Sequence, residues 1–355
     1  MNDTIGLFSA LGERLRSFGS DAATRRIAEE ACRANGWFAP SEIGRANGWF
    51  TPSEIGRALR AIADRMLRRE ALAEWLAAYP VPVAAPRRVL VVMAGNIPAV
   101  GFFDLLCVLA SGHRCLVKPS AKDAVLIEYI VGLLHKLDPD VPVGFYDGSA
   151  PVDAVIATGS DNARRHFQSR FADIPALLRG HRQSVAVLSG AETPEQLAGL
   201  ADDIWAYSGL GCRSVSLLFI PEGCDLRLAM PAMNPKYRNN YLQTRALLAM
   251  TGRPFLDLGC AVAVEQADFP SSLSRIAYTR YRSLAEVEAW LAAHDEELQC
   301  VVSECIGHSR RTGFGCAQSP ALADYPDALD TMRWLTQEIA QEIAQETPKK
   351  SPEKK

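Results

Sequence analysis

Apolar residues follow two different patterns along the chain. Through the first 80 residues they recur at helical spacing, as in the series Leu59, Ile62, Met66 and Leu72. From residue 88 onward, short apolar runs typical of buried parallel strands alternate with helical segments, and strands are expected at 88–93, 114–117, 141–146, 153–157, 184–188 and 214–220. This alternation predicts an α/β fold with a doubly wound parallel sheet.

A 12-residue segment occurs twice in the helical region. RANGWFAPSEIG at 33–44 is followed by RANGWFTPSEIG at 45–56, and the copies differ only at Ala39 and Thr51. Thr51 and Glu54 have the spacing of a capping box, with a proline at the first helical position. Ala39 lacks the capping hydroxyl, a loss of about 1 kcal/mol. We therefore expect the second copy to begin a helix and the first to be an insertion.

The composition is that of an ordinary globular protein. The 355 residues are 48% apolar and 22% charged, and the length predicts two or three domains. With 38 Lys and Arg against 41 Asp and Glu, the net charge is −3, so the chain lacks the basic excess of nucleic-acid-binding proteins. The nine cysteines are expected as free thiols in a reducing compartment, and residues 1–16 lack the apolar stretch of a secretory signal. These features predict a cytoplasmic protein.

One segment has the composition of a membrane helix. Residues 89–112 carry a single charge, that of Asp104. However, Gly95, Pro98 and Gly101 divide the segment into shorter elements, so no membrane span is expected.

Three polar groups follow predicted strands, at the end of a parallel sheet where ligands bind. The amide of Asn96 can donate to a developing oxyanion, or it can simply form a turn. Lys118 can bind ribose hydroxyls or phosphate, or lie in a solvated turn. Thr158, Gly159 and Ser160 precede a helix whose free amides can bind an anion, or Ser160 is only an N-cap.

Cys212 is the candidate nucleophile. Gly209 and Gly211 precede it and let the backbone approach a ligand closely. Arg213 and the local amides are expected to favour the reactive thiolate. The alternative is a structural cysteine that begins a strand.

Other common binding motifs are absent from the sequence. It contains neither a G-x-G-x-x-G fingerprint nor a P-loop lysine motif. No metal is expected, because a fourth ligand with suitable spacing is missing beside Cys300, Cys305 and His308.

The order of these candidates resembles the aldehyde dehydrogenase superfamily, and more narrowly the long-chain acyl-CoA reductase family of LuxC type. The resemblance covers roughly residues 47–336. It rests on the segments MAGNIP at 93–98, ATGSD at 157–161, RQSVAV at 182–187, GLGCR at 209–213, NPKYRNN at 234–240, AQSP at 317–320 and DTM at 330–332.

The resemblance implies an aldehyde dehydrogenase-like fold with two lobes that meet at a cleft. A helical region over 1–80 would precede an NADP-binding domain over 81–205 and a catalytic thiol domain over 206–316. A return segment over 317–340 and a disordered tail over 341–355 would follow.

The resemblance also implies the reaction acyl-CoA + NADPH → fatty aldehyde + CoA + NADP. Cys212 would attack the thioester carbonyl, and Asn96 with the Cys212 amide would hold the oxyanion. The residues that would contact NADP(H) are Lys118, Ser120, Lys122, Thr158, Gly159 and Ser160.

Three departures from the superfamily pattern refine this expectation. RGHR at 179–182 stands where oxidising aldehyde dehydrogenases have Glu-Leu-Gly-Gly, whose glutamate activates water, and this favours CoA-linked reduction. ADFP at 267–270 is a poor match to Glu-x-Phe-Gly-Pro, so the nicotinamide-ribose contacts stay unassigned. Ala121 occupies the place of the acidic residue found in NAD-preferring relatives, and with Lys122 it favours NADPH.

Two other functions remain open at this stage. One is a short-chain acyl-phosphate or semialdehyde reductase of the same superfamily, and the other is a non-redox acyl-carrier or scaffold subunit. The acyl chain length, an acyl-transferring protein partner and homo-oligomer formation cannot be read from the sequence.

Overall fold

The computed structural model describes residues 3–34, 49–228, 234–339 and 341. Its strands form two sheets, and four helices precede the first of them: α1 (Thr4–Arg16), α2 (Ala22–Ala34), α3 (Pro52–Arg65) and α4 (Arg69–Leu76). Buried side chains of these helices, including Phe8, Leu11, Ile55 and Leu59, share one apolar core with the first sheet.

The second repeat copy begins a helix, as predicted. Thr51 Oγ1 accepts from the backbone N–H of Glu54 at 3.2 Å, and the Glu54 carboxylate accepts from the backbone N–H of Thr51 at 2.9 Å. Proline occupies the first turn of α3. Of the first copy, residues 35–44 lie outside the described residues.

The first sheet is parallel and has the strand order β3-β2-β1-β4-β5. Its strands are β1 (Arg88–Val92), β2 (Arg114–Lys118), β3 (Val143–Phe145), β4 (Ala154–Thr158) and β5 (Ala176–Arg179). The chain runs outward from β1 in one direction through β2 and β3, and in the other through β4 and β5. Such a reversal opens a crevice at the carboxyl ends of the central strands, where doubly wound folds bind ligands.

Three helices connect the strands of the first sheet: α5 (Phe102–Ala110), α6 (Ala124–Leu137) and α7 (Asp161–Arg170). Every residue of α5 is buried, which explains its apolar composition on all sides. The segment 89–112 is thus a strand and an interior helix, and among the described residues no helix is long and apolar enough to cross a membrane.

The second sheet has the order β12-β11-β6-β7-β10-β9-β8 and is parallel except for the β8–β9 pair. Its strands are β6 (Gln183–Val187), β7 (Val215–Pro221), β8 (Leu256–Asp257), β9 (Val262–Glu265), β10 (Arg275–Tyr281), β11 (Leu298–Val302) and β12 (Arg311–Thr312). Its helices are α8 (Pro194–Trp205), α9 (Pro235–Met250) and α10 (Leu284–Ala293).

The chain changes from one sheet to the other before residue 205, where the boundary between the NADP-binding and the catalytic domain was expected. The strand β6, expected in the first domain, pairs with β7 and β11 of the second sheet. The chain therefore changes sheets between Arg179 and Gln183. A buried parallel strand has the same apolar pattern in either sheet, so its pattern alone does not say which sheet it joins.

The C-terminal segment returns to the first sheet. The short helix α11 (Thr331–Arg333) continues into a π-helical turn at Trp334–Glu338, and Met332, Trp334 and Leu335 complete the core around α5. The predicted tail, apart from residue 341, lies outside the described residues.

Candidate functional site

The loops after β1 and β2 lie against each other. A Cβ atom on Gly95 would lie only 2.6 Å from both Cβ and Oγ of Ser120, and 3.3 Å from Cβ of Lys122. Only glycine permits this approach, because a real Cβ has no room there. The approach brings Asn96, Ser120 and Lys122 to the same edge of the first sheet as Lys118, the exposed last residue of β2.

The third group of predicted cofactor residues lies at the end of β4, which is paired with β1. Thr158 is the last residue of β4, and the Gly159 N–H donates to the carbonyl of Arg179 at 3.3 Å. Ser160 caps α7 by accepting from the backbone N–H of Ala163 at 3.3 Å. Ser160 is thus the N-cap of α7. The other backbone N–H groups in the first turn of α7 lie at the central crevice of the sheet.

The loop that carries Cys212 begins with an unusual backbone. Tyr207, Ser208 and Gly209 have φ values of 54°, 57° and 68°, in the left-handed region. Glycine adopts this region freely, whereas for Tyr207 and Ser208 it costs on the order of 1–3 kcal/mol each. The loop ends at Ser214, whose N–H donates to the carbonyl of Gly211 at 3.0 Å, immediately before β7.

Asn96 joins the first sheet to the Cys212 loop. Its Nδ2 atom donates to the carbonyl oxygen of Leu210 at 2.7 Å. A Cβ atom on Gly211 would lie 3.6 Å from the side chain of Ile97 and 3.6 Å from that of Gln318. The two predicted catalytic residues therefore belong to loops that are in direct contact, and the second N–H of the Asn96 amide is not used in this bond.

A hydrogen-bond network through Ser184 and Cys300 fixes the backbone of Cys212. The Ser184 hydroxyl donates to the Cys212 carbonyl at 2.9 Å, and it accepts from the Cys300 N–H at 3.2 Å and from the Cys300 thiol at 3.1 Å. Ser184 and Cys300 are buried. In the sequence, this role of Ser184 is indicated only by its place in the segment RQSVAV.

Cys300 belongs to this network. Among the described residues, no group of three or more His, Cys, Asp or Glu side chains has metal-binding geometry.

The environment of the Cys212 thiol corrects the expectation of a stabilised thiolate. The residue keeps exposed surface, yet the protein atoms packed around the sulfur displace water from it and raise the pKa of the thiol to about 11. The positive charge of Arg213 lowers that pKa, but by less than desolvation raises it. The Arg213 guanidinium also donates to the carbonyl of Asp324 at 3.1 Å. Cys212 is therefore mainly in the thiol form at neutral pH.

A cavity of about 150 Å³ opens beside Cys212. Most of its lining is apolar and comes from α3, from the segment that leads into α5 and from the return segment. The lining residues are Ala58, Ala61, Ile62, Met66, Ile97, Pro98, Ala99, Val100, Phe102, Phe103, Tyr207, Cys212, Arg213, Gln299, Gln318, Pro320, Asp324 and Pro326.

A second cavity, of about 250 Å³, touches the Cys212 loop at Gly209 and Leu210. It is also lined by His181, by Gln183 and by the segment 270–276. The poorly matching stretch at 267–270 thus reaches this cavity with its last residue. The Cys212 loop therefore separates an apolar cavity from a more polar one.

Arg179, which the resemblance places where oxidising aldehyde dehydrogenases have a glutamate, is buried. Its Nη1 atom lies 2.6 Å from both carboxylate oxygens of Asp104 on α5, and its Nη2 donates to the Thr331 hydroxyl at 2.7 Å. Only 2% of the Arg179 side chain and 8% of the Asp104 side chain are exposed. This residue fixes β5 to α5 and α11, and a guanidinium cannot act as a general base.

Asp123 is a second buried carboxyl group near the site. Its two oxygens make no regular hydrogen bond, and burial raises the pKa of the group to about 8. The backbone N–H groups of Ala99 and Val100 lower that pKa in part. Asp123 therefore lies against the turn at Ala99 and Val100 that leads into α5.

Comparison with solved structures identifies the fold. An oxidoreductase from Marinobacter aquaeolei matches with a TM-score of 0.59 and 13% identity, over 90% of this chain and 78% of that one. The NAD+ complex of an aldehyde dehydrogenase from Bacillus cereus matches with a TM-score of 0.53 and 15% identity, over 84% and 70%. Proline utilization A matches with a TM-score of 0.56 and 16% identity, over 84% of this chain but only 36% of its own length.

The sequence comparisons identify the family. No curated protein matches the chain significantly. A family model described as acyl-CoA reductase (LuxC) matches residues 56–229, which include Asn96, Lys118 and Cys212. The predicted α/β architecture and the predicted family are both confirmed. Residues 56–229, just under half of the chain, match the acyl-CoA reductase (LuxC) family model, and the fold is that of the aldehyde dehydrogenases.

Proposed function

We propose that the chain reduces an acyl-CoA thioester to the aldehyde through a thioacyl intermediate on Cys212, with NADPH as the reductant. One observation supports this most directly: the 2.7 Å hydrogen bond from Asn96 to the Leu210 carbonyl joins the amide to the loop of the thiol, beside an apolar cavity. An amide donor, a thiol and an apolar pocket are the groups that an acyl thioester needs.

In the first step, the Cys212 sulfur attacks the thioester carbonyl and loses its proton. The carbonyl oxygen gains negative charge, and the free N–H of Asn96 and the Cys212 amide donate to it. The bond to the CoA sulfur then breaks, and CoA leaves as a thiol after accepting a proton. The exchange replaces one thioester by another, so it needs no other source of free energy.

The thioacyl form is protected from water. A carboxylate at the position of Arg179 could activate a water molecule, but Arg179 is a cation paired with Asp104. The thioester on Cys212 is therefore expected to persist until it is reduced.

The first sheet fits a dinucleotide at its central crevice. Lys118 is exposed at the end of β2, and a Cβ on Gly159 would lie 2.8 Å from Cβ of Ala163, so the turn into α7 is close enough to need glycine. In this proposal Lys118, Ser120 and Lys122 contact the adenosine ribose and its phosphate, while Thr158, Gly159 and Ser160 contact the phosphates nearer the nicotinamide.

NADPH is preferred over NADH because Ala121 contributes no carboxylate to repel a 2′-phosphate, and Lys122 adds a positive charge. When bound, the dinucleotide supplies the hydride chemistry, and release of the aldehyde restores the Cys212 thiol.

The test is mass spectrometry of the protein after incubation with an acyl-CoA and no dinucleotide. A stable acyl adduct on Cys212 is expected, and addition of NADPH should convert it to aldehyde. Cys212→Ser should abolish both results, while Cys316→Ser, which changes another exposed cysteine, should leave them unchanged.

Activity that persists in Cys212→Ser would refute the proposal. Acylation without reduction would favour an acyl-carrier role. A preference for NADH above tenfold would contradict the assignment of NADPH.

A further inference from the structure

Helix α3 forms one wall of the cavity beside Cys212. Its contributions are Ala58, Ala61, Ile62 and Met66, which lie on one face at helical spacing. The side chains at positions 58 and 61 are the smallest that carry a Cβ atom. They leave space that a larger side chain would fill.

The wall is attached to the site at both ends of α3. At its N-terminus, the Glu54 carboxylate lies close to the backbone N–H of Tyr207 in the Cys212 loop, which partly offsets the rise in pKa that burial causes in this carboxyl group. At its C-terminus, the Arg65 Nε atom donates to the carbonyl of Ser319 in the return segment at 3.2 Å. The distance between α3 and Cys212 is therefore set by polar contacts as well as by packing.

The size of the cavity limits what it can enclose. Its volume is about 150 Å³. An apolar cavity of about that volume accepts benzene, which has six carbon atoms. Space beside Cys212 is thus available for roughly six carbon atoms.

We propose that α3 determines the acyl-chain specificity of this site, with Ala58 and Ala61 leaving room for roughly the first six carbons of the acyl group. This inference rests on the proposed function, because it assumes that Cys212 is acylated. It assigns the N-terminal helical region a direct part in substrate selection, and the second repeat copy supplies the cap of the helix that forms the wall.

The experiment measures the rate of Cys212 acylation by mass spectrometry, with acetyl-, butyryl-, hexanoyl-, octanoyl- and dodecanoyl-CoA. For the unaltered protein the rate should rise about fourfold for each methylene up to hexanoyl, and level off for longer chains. Ala61→Leu adds three carbons to the wall, so the hexanoyl rate should fall roughly 60-fold and the acetyl rate should not change. Met66→Ala should move the levelling point to longer chains.

Ala73→Leu is the matched control, because it adds the same atoms to an exposed position of the neighbouring helix α4. Thermal melting establishes which variants are folded, and Met66→Ala tests the inference independently if Ala61→Leu does not fold. If Cys212 is acylated and the acylation rate depends on chain length in the same way in the unaltered protein, Ala61→Leu and Met66→Ala, this inference alone is overturned. Failure of every acyl-CoA to label Cys212 in the unaltered protein would overturn the proposed function and this inference with it.

Discussion

The pH dependence of Cys212 reactivity follows directly from its surroundings. Burial raises the pKa of this thiol to about 11, and only the thiolate is a strong nucleophile. At pH 7 the ionised fraction is then about one molecule in 10⁴, and at pH 9 about one in 10². The rate of alkylation should therefore rise about tenfold for each pH unit from 7 to 10. A free cysteine, with a pKa near 8.5, would approach its maximum rate at about pH 9.

The assay is alkylation by iodoacetamide, followed by mass spectrometry of the peptide that contains Cys212. Arg213→Gln removes the positive charge that lowers the pKa of Cys212, so alkylation of this variant should be slower at every pH in the range. Arg282→Gln is the control, because Arg282 lies on the surface in an ion pair with Glu222.

A rate that reaches its maximum below pH 9 in the free protein would refute this reasoning. It would show that the local amides and Arg213 stabilise the thiolate more than desolvation disfavours it. Equal rates for Arg213→Gln and the unaltered protein would show that the guanidinium has no effect on the thiol.

Three further predictions concern stability, each measured by urea unfolding. Asp123 keeps a proton in the folded state up to about pH 8, whereas the unfolded state loses it near pH 4, so stability should fall as pH rises through this range. Asp123→Asn removes this loss, and its stability relative to the unaltered protein should rise by about 2 kcal/mol between pH 6 and pH 8; an unchanged difference would contradict the assignment. Asp104→Asn leaves Arg179 as an unpaired buried cation and should cost about 3–5 kcal/mol, whereas Asp104→Leu combined with Arg179→Met should cost less; equal losses would argue against the charge as the cause. Thr51→Ala gives the second repeat copy the sequence of the first and should cost about 1 kcal/mol through the lost cap; an unchanged stability would show that the cap contributes little.

Much of the first sheet could be predicted from the sequence, because buried parallel strands are short, unbroken apolar runs. The runs at 88–93, 114–117 and 153–157 correspond to β1, β2 and β4. The edge strand β5 was missed, because its burial is uneven and it ends in Arg179. Its arginine is buried only because Asp104, 75 residues earlier, supplies the opposite charge.

The meeting of Asn96 with the Cys212 loop was anticipated from the order of motifs, and the structure shows the two loops in contact. The state of the thiol was not anticipated correctly. The sequence shows the charge of Arg213 beside Cys212, but it does not show how much protein surrounds the sulfur. The support from Ser184 was also invisible, because a serine inside an apolar strand gives no sign of what its hydroxyl contacts.

The return segment has a consequence for biosynthesis. The cavity beside Cys212 is lined by α3 from the beginning of the described chain and by Gln318, Pro320 and Pro326 from near its end. Strand β6 likewise forms hydrogen bonds to β11, which follows it by more than 100 residues, so its pairing is incomplete until β11 has been made. During translation the strands of the first sheet emerge early, but the pocket beside Cys212 is complete only after residues 318–326 have left the ribosome. Truncation before residue 318 should therefore abolish thiol acylation, and it also removes Met332, Trp334 and Leu335 from the core around α5.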